Sequence, residues 1–187
     1  MDEARRAIAD HRALAERIED LLPEVEAAVA ALIGCYERDG RVYTLGNGGS
    51  AADSLHFAEE LVARFRRERR PLAAQSLAAD PTAITCIGND YDFDDIFARQ
   101  VRAFVRPGDV VVAFTTSGKS PNVVKAVAEA RVAGATVVLF GGGQGLPAAE
   151  HADVALVVPS SDTARVQEMH VLLLHVILDE VDRWAAS

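Results

Sequence analysis

His56 and Glu60 stand four residues apart in AADSLHFAEELVARF (51–65), a stretch whose apolar spacing predicts an amphipathic helix. At that spacing they lie roughly 40° from each other around the axis, so they share a face and can hold one metal ion or one proton path. Glu59 competes for the same role at i+3, and a solvated pair would show the same pattern. A second set, Gln167, Glu168, His170 and His175, falls on the last predicted helix, from about Asp162 to Trp184. Gln167 and His175 are two turns apart and within about 80° of each other. His175 is embedded in VLLLHVIL, where a hydrogen-bonded core histidine is the simpler reading. Two helices that each offer a ligand pair point to chemistry more strongly than either does alone.

Two polar loops could hold the rest of a ligand. Gly46-Asn47-Gly48-Gly49-Ser50 follows a short strand, RVYTL (41–45), and opens the His56 helix. Its glycines allow close approach to the backbone and expose N–H groups at a helix start, although a tight strand-to-helix turn needs them too. Gly46, Gly48 and Ala51 satisfy a loose dinucleotide-binding pattern, but no acidic residue ends a second strand at the required offset. Thr115-Thr116-Ser117-Gly118-Lys119-Ser120 lies between DVVVAF (109–114) and a helix with Pro121 in its first turn. Four hydroxyls, backbone N–H groups and a helix N-terminus suit a phosphate monoester and exceed what one N-cap requires. The loop is not a Walker A motif, because G-x-x-x-x-G-K-[ST] is absent.

These loops need a frame that brings them together. Strands are expected at 41–45, 72–77, 109–114, 136–140 and 153–158, with helices between them. Near-continuous apolar runs such as DVVVAF belong to strands covered on both faces. The fold class that follows is α/β: a doubly wound parallel sheet of about five strands flanked by helices, which binds ligands at the carboxyl ends of its strands. Residues 1–38 read as a helical N-terminal extension, interrupted near Pro23, and 41–187 as the α/β core of a single domain. The 187 residues are half hydrophobic and one quarter charged, and the net charge of −9 argues against broad nucleic-acid binding. No apolar run is long enough to span a bilayer and the charged N-terminus is unlike a signal peptide, so a cytoplasmic location is expected. Cys35 and Cys86 read as buried, reduced thiols.

The segments GNGGSAADSLHFAEEL, GNDYDFDDIFARQ, PGDVVVAFTTSGKSPNVVKA and VPSSDTARVQEMHVLLLH, in this order from about residue 41 to 180, resemble the sugar isomerase (SIS) domain family. Within it they resemble the phosphoheptose isomerases. The resemblance implies conversion of sedoheptulose 7-phosphate to D-glycero-D-manno-heptose 7-phosphate in nucleotide-activated heptose biosynthesis. It also implies a homotetramer with active sites shared between subunits, and usually one zinc ion per subunit. Carried over by position, Asn47, Gly48, Gly49 and Ser50 would line the sugar site. Thr115, Thr116, Ser117 and Ser120 would hold the phosphate, and Asn89 and Asp90 the substrate hydroxyls. His56, Glu60, Gln167 and His175 would surround the metal, with Glu60 and His175 catalytic and Gln167 also orienting substrate. Lys119 stands where the family often has Asn, and GGGQGLP where a Thr-Gly pair is common. The competing expectation is a non-catalytic SIS protein that binds a sugar phosphate or a replication-initiator partner. In that group the acid after HFA and the last-helix histidine tend to be missing.

Overall fold

The computed structural model describes every residue except Gln144 and Leu146, so part of the GGGQGLP segment lies outside the described residues. Five parallel strands form one sheet: β1 (Val42–Gly46), β2 (Ala74–Ser76), β3 (Val110–Thr115), β4 (Thr136–Gly142) and β5 (Val154–Val158). Their spatial order is β2-β1-β3-β4-β5. The chain runs outward on either side of the β1/β3 pair, so a crevice opens at the carboxyl ends of those two strands. Gly46 pairs with Phe114 at that edge, and the two polar loops of the sequence leave from it.

Alternation along the strands divides the core in two. Val42, Val110, Val112, Phe114, Val138 and Phe140 point to one face. There they meet the helices α1 (Asp2–Arg17), α2 (Leu22–Glu37), α3 (Gly49–Val62) and α7 (Thr163–Ala185). Tyr43, Leu45, Val111, Ala113, Val137 and Leu139 point to the other face, against α5 (Ala98–Phe104) and α6 (Pro121–Val132). Helix α4 (Pro81–Asp90) contributes no buried residue. Cys86 sits on it and is exposed, unlike the expectation from sequence, because α4 only skirts the second face. Cys35 is buried and unpaired, and burial pushes its thiol up to about 11.

The N-terminal extension departs from its predicted pattern in two details. The break between α1 and α2 is a short 3₁₀ segment at Ile18–Leu21, and Pro23 occupies the first turn of α2, where its missing N–H costs nothing. Ile8, which the sequence spaces with Leu14 and Ile18 as one apolar helix face, is 71% exposed. Polar contacts hold α1 on α7: His11 Nδ1 lies 2.6 Å from Glu168, and Arg165 donates to the Ala7 carbonyl at 2.8 Å. Asp162 caps α7 by accepting the N–H groups of Ala164 and Arg165. No described helix is long and apolar enough to cross a membrane.

The core histidine of α7 is His170, not His175. Its Nε2 lies 3.1 Å from the Gly141 carbonyl, and its ring packs edge-on against both Phe114 and Phe140. Burial pushes its pKa down to about 4, only partly offset by the bond to Gly141, so it is neutral in the fold. The unfolded imidazole titrates near 6.5. The unfolded state therefore takes up a proton that the folded state refuses, and stability falls as the pH drops from about 6.5 to about 4. Between pH 7 and pH 4 the His170→Gln variant should lose less stability than the parent protein, by up to about 3 kcal/mol. Urea unfolding at the two pH values measures this; parallel losses in both proteins would refute it.

Candidate active site

The first loop closes the strand-to-helix turn after β1. Gly48 has φ of 56°, a region that glycine enters without strain. Gly49 starts α3 directly beneath the Gln167 amide, and a Cβ there would overlap it. The loop is thus shaped by contact with α7 as well as by turn chemistry. Asn47 is locked by a reciprocal amide pair with Asn122, at 2.8 Å in both directions. Asn122 is buried and went unnoticed in the sequence, where only its position next to Pro121 marked it.

The second loop uses its hydroxyls unequally. Thr115 Oγ1 accepts the Gly118 N–H at 3.1 Å, and Ser117 Oγ accepts the Lys119 N–H at 3.2 Å. Both hydroxyls keep a hydrogen to donate outward. Ser120 occupies the N-cap of α6 without making a side-chain cap bond, so its hydroxyl is free of the role that would explain it structurally. A cavity of about 230 Å³ lies between the loops, lined by Asn47, Gly49, Ser50, Thr115, Thr116, Ser120 and Gln167 among others. A second cavity of about 320 Å³ adjoins it across Thr116 and Thr163 and is lined also by Ser117, Lys119 and Ser161. Lys119 is the one charged residue lining either cavity, and it makes no ion pair among the described residues. Ser161 and Thr163 carry a sequence signal, the hydroxyl-rich SSDT at the start of α7.

His56 and Glu60 on α3 meet His175 on α7. One donor atom from each lies within 4.8 Å of the other two. His56 Nε2 is 3.4 Å from Glu60 Oε1, and the two imidazoles sit edge to face with centroids 5.1 Å apart. Phe65 stacks on His175 at 5.6 Å and fixes the ring from the far side. Desolvation, followed by the nearby charges of His56 and Arg66, lowers the His175 pKa despite the opposing pull of Glu60. A neutral His175 keeps one donor and one acceptor nitrogen. Glu59 is exposed and outside this cluster. One turn before His56, Asp53 is buried with one carboxylate oxygen lacking a partner, and burial pushes its pKa up to about 6.

Gln167 and His175 are separated by about 12 Å of helix rise. Gln167 accordingly faces the hydroxyl cradle while His175 faces the α3 pair. Asn89 and Asp90 lie elsewhere, exposed at the end of α4 and lining neither cavity. The Asn89 amide donates to Asp90 at 2.7 Å, and Asp90 also receives the Cys86 thiol at 3.5 Å.

Two imidazoles and a carboxylate are a donor set used by catalytic zinc and equally by non-haem iron. Their mutual distances leave room for a small adjustment around one ion, so the trio fits a metal without naming it.

Comparison with known proteins identifies the family. A family model described as the SIS domain matches residues 8–142. A phosphoheptose isomerase of Aromatoleum aromaticum is 47% identical over 170 residues, covering 89% of this chain and 86% of its own length. The structure of phosphoheptose isomerase from Neisseria gonorrhoeae superposes with a TM-score of 0.92 at 39% identity, covering 97% of this chain and 98% of that one. The corresponding structure from Francisella tularensis gives 0.94 at 34% identity, with 97% of each chain covered. On this shared frame, with the glycine loop, the hydroxyl loop and the two-helix cluster, the chain belongs to the SIS-domain family, on its phosphoheptose isomerase branch.

Proposed function

We propose that this chain interconverts sedoheptulose 7-phosphate and D-glycero-D-manno-heptose 7-phosphate, a ketose–aldose isomerisation. The observation that carries the reading is the meeting of Glu60 and His175, which lie far apart in the chain, on a fold shared with phosphoheptose isomerases. A non-catalytic SIS protein is not favoured, because both of these residues are present and the relatives reported above are named isomerases.

The reaction moves a hydrogen between C1 and C2 through an enediol. In the ketose-to-aldose direction Glu60 takes the C1 proton as the C2 oxygen gains one; the C1 hydroxyl then gives up its proton and C2 receives one. His175 passes a proton to or from the two oxygens through the ring nitrogen that the metal would leave free. Thr115, Thr116, Ser117 and Ser120 hold the phosphate, whose binding energy positions the reactive end. Ser50 and the Asn47–Gly49 backbone line the sugar, Asn89 and Asp90 reach its hydroxyls, and Gln167 orients it. His56, Glu60 and His175 would hold a zinc ion; Gln167, expected from the sequence as a further donor, faces the hydroxyl cradle about 12 Å along α7 and keeps only the orienting role. That ion would polarise the carbonyl and stabilise enediolate charge. We place the enzyme in the cytoplasm, acting as one domain.

A homotetramer with shared sites belongs to the same reading. Leu55, Leu172 and Val176 are 42%, 38% and 39% exposed and flank the trio on α3 and α7, as residues covered by a second copy would. Asn89 and Asp90, turned away from both cavities, suit a neighbour's site. Light scattering should give a mass of about 80 kDa, four times the 20.0 kDa chain; a monomer would remove the shared site.

The central test is incubation with sedoheptulose 7-phosphate and detection of the aldose phosphate, with and without chelator. Product is expected and chelator should suppress it; binding without product would leave a sensor. Glu60→Gln should lower kcat by about 10²–10⁴-fold while the thermal midpoint stays near the parent value. Lys119→Asn should raise KM roughly threefold at low salt, less at high salt, with kcat unchanged, since its charge only assists a neutral cradle. An unchanged KM at low salt would take Lys119 out of the phosphate site.

A further inference from the structure

Helix α3 ends two residues after Glu60, and its last carbonyls have no partner within the helix. Arg69 supplies one from outside. Its Nη2 donates to the Glu60 carbonyl at 2.7 Å, and its Nη1 to the carbonyls of Leu61 and Arg70 at 2.9 Å each. On the opposite edge of the same guanidinium, Nε donates to Asp182 at 3.0 Å. Both side chains are only 1% exposed. Asp182 lies seven residues after His175 on α7, and seven residues bring a helix back to within about 20° of the same face. One rigid planar group therefore grips the Glu60 end of α3 and the His175 face of α7 together.

We propose that Arg69 is the positioning residue of the trio: through Asp182 it holds Glu60 and His175 at their working separation. The proposal rests on the reading of those two residues given above. A buried ion pair is weak evidence for stability and is better attested as a device for register. The choice of arginine agrees, because only a fork with donors on two edges can serve two helices from one plane. Burial alone would raise the Asp182 carboxyl. The Arg67 N–H, at 2.9 Å, and the Arg69 guanidinium outweigh it and hold the group below the usual carboxylate range. Arg67 differs from Arg69 in a useful way: its side chain reaches Asp179 and Asp182 on α7 and gives nothing to α3.

The test uses the full-length chain in three variants: Arg69→Lys, Asp182→Asn and, as a control, Arg67→Ala. Folding is followed by far-UV circular dichroism and thermal midpoint. Zinc affinity is read by competition with a chromophoric chelator, and kcat and KM are read on sedoheptulose 7-phosphate. Arg69→Lys and Asp182→Asn should remain folded, with zinc affinity and kcat each reduced about tenfold or more and KM within twofold. Arg67→Ala should keep zinc affinity within twofold. Asp182→Asn preserves shape and an acceptor for Nε, so it keeps the test open where Arg69→Lys does not fold. Wild-type zinc affinity and kcat in a folded Arg69→Lys or Asp182→Asn variant would overturn the proposal, as would an equal loss in Arg67→Ala. Should the parent protein bind zinc but leave the heptose phosphate unchanged, the zinc measurement still decides the role of Arg69.

Discussion

Helices α3 and α7 lie side by side on one face of the sheet, and their contact turns separated side chains into a site. Gly49 touches Gln167 at one end, and seven residues along α3 and eight along α7 His56 meets His175. Two contacts in such register mean that the helices run parallel. The Phe57–Phe114–Phe140 cluster beneath α3 and the Leu173, Leu174 and Ile177 stripe of α7 supply the apolar area that holds them there. Shifting either helix by one residue would turn its side chains by about 100° and dissolve the trio.

That arrangement separates two tasks. The hydroxyl loop and the glycine loop belong to strand ends, where the reversal of strand order opens a crevice without any special device. The His56, Glu60 and His175 trio belongs to helix faces about two turns away, beside the Phe65 ring that stacks on His175. A cradle lined mainly by neutral hydroxyls is compatible with a chain of net charge −9, because under the proposed function local donors would recognise the phosphate without a long-range field. Buried histidine is used in two opposite ways on the one helix. His170 is neutral and structural, packed on phenylalanines, whereas His175 is half-buried and beside a carboxylate.

Much of this was legible in the sequence because it depends on local periodicity. Uninterrupted apolar strands, glycine and hydroxyl loops following them, and an i,i+4 His–Glu pair each follow from chain geometry over fewer than ten residues. The five parallel strands and both crevice loops were therefore expected, and so was the common face of His56 and Glu60. Residue type and spacing could not decide which α7 histidine was buried. His170 and His175 are five residues apart, and only the packing direction of α7 assigns one to the core. The same limit hid the exposure of Ile8 and Cys86, the Asn122 lock on Asn47, and the Arg69 fork, whose partners come from elements remote in sequence. Local pattern determines elements and their faces. Which faces meet is decided by the global packing of those elements, and for this chain that meeting is where the chemistry arises.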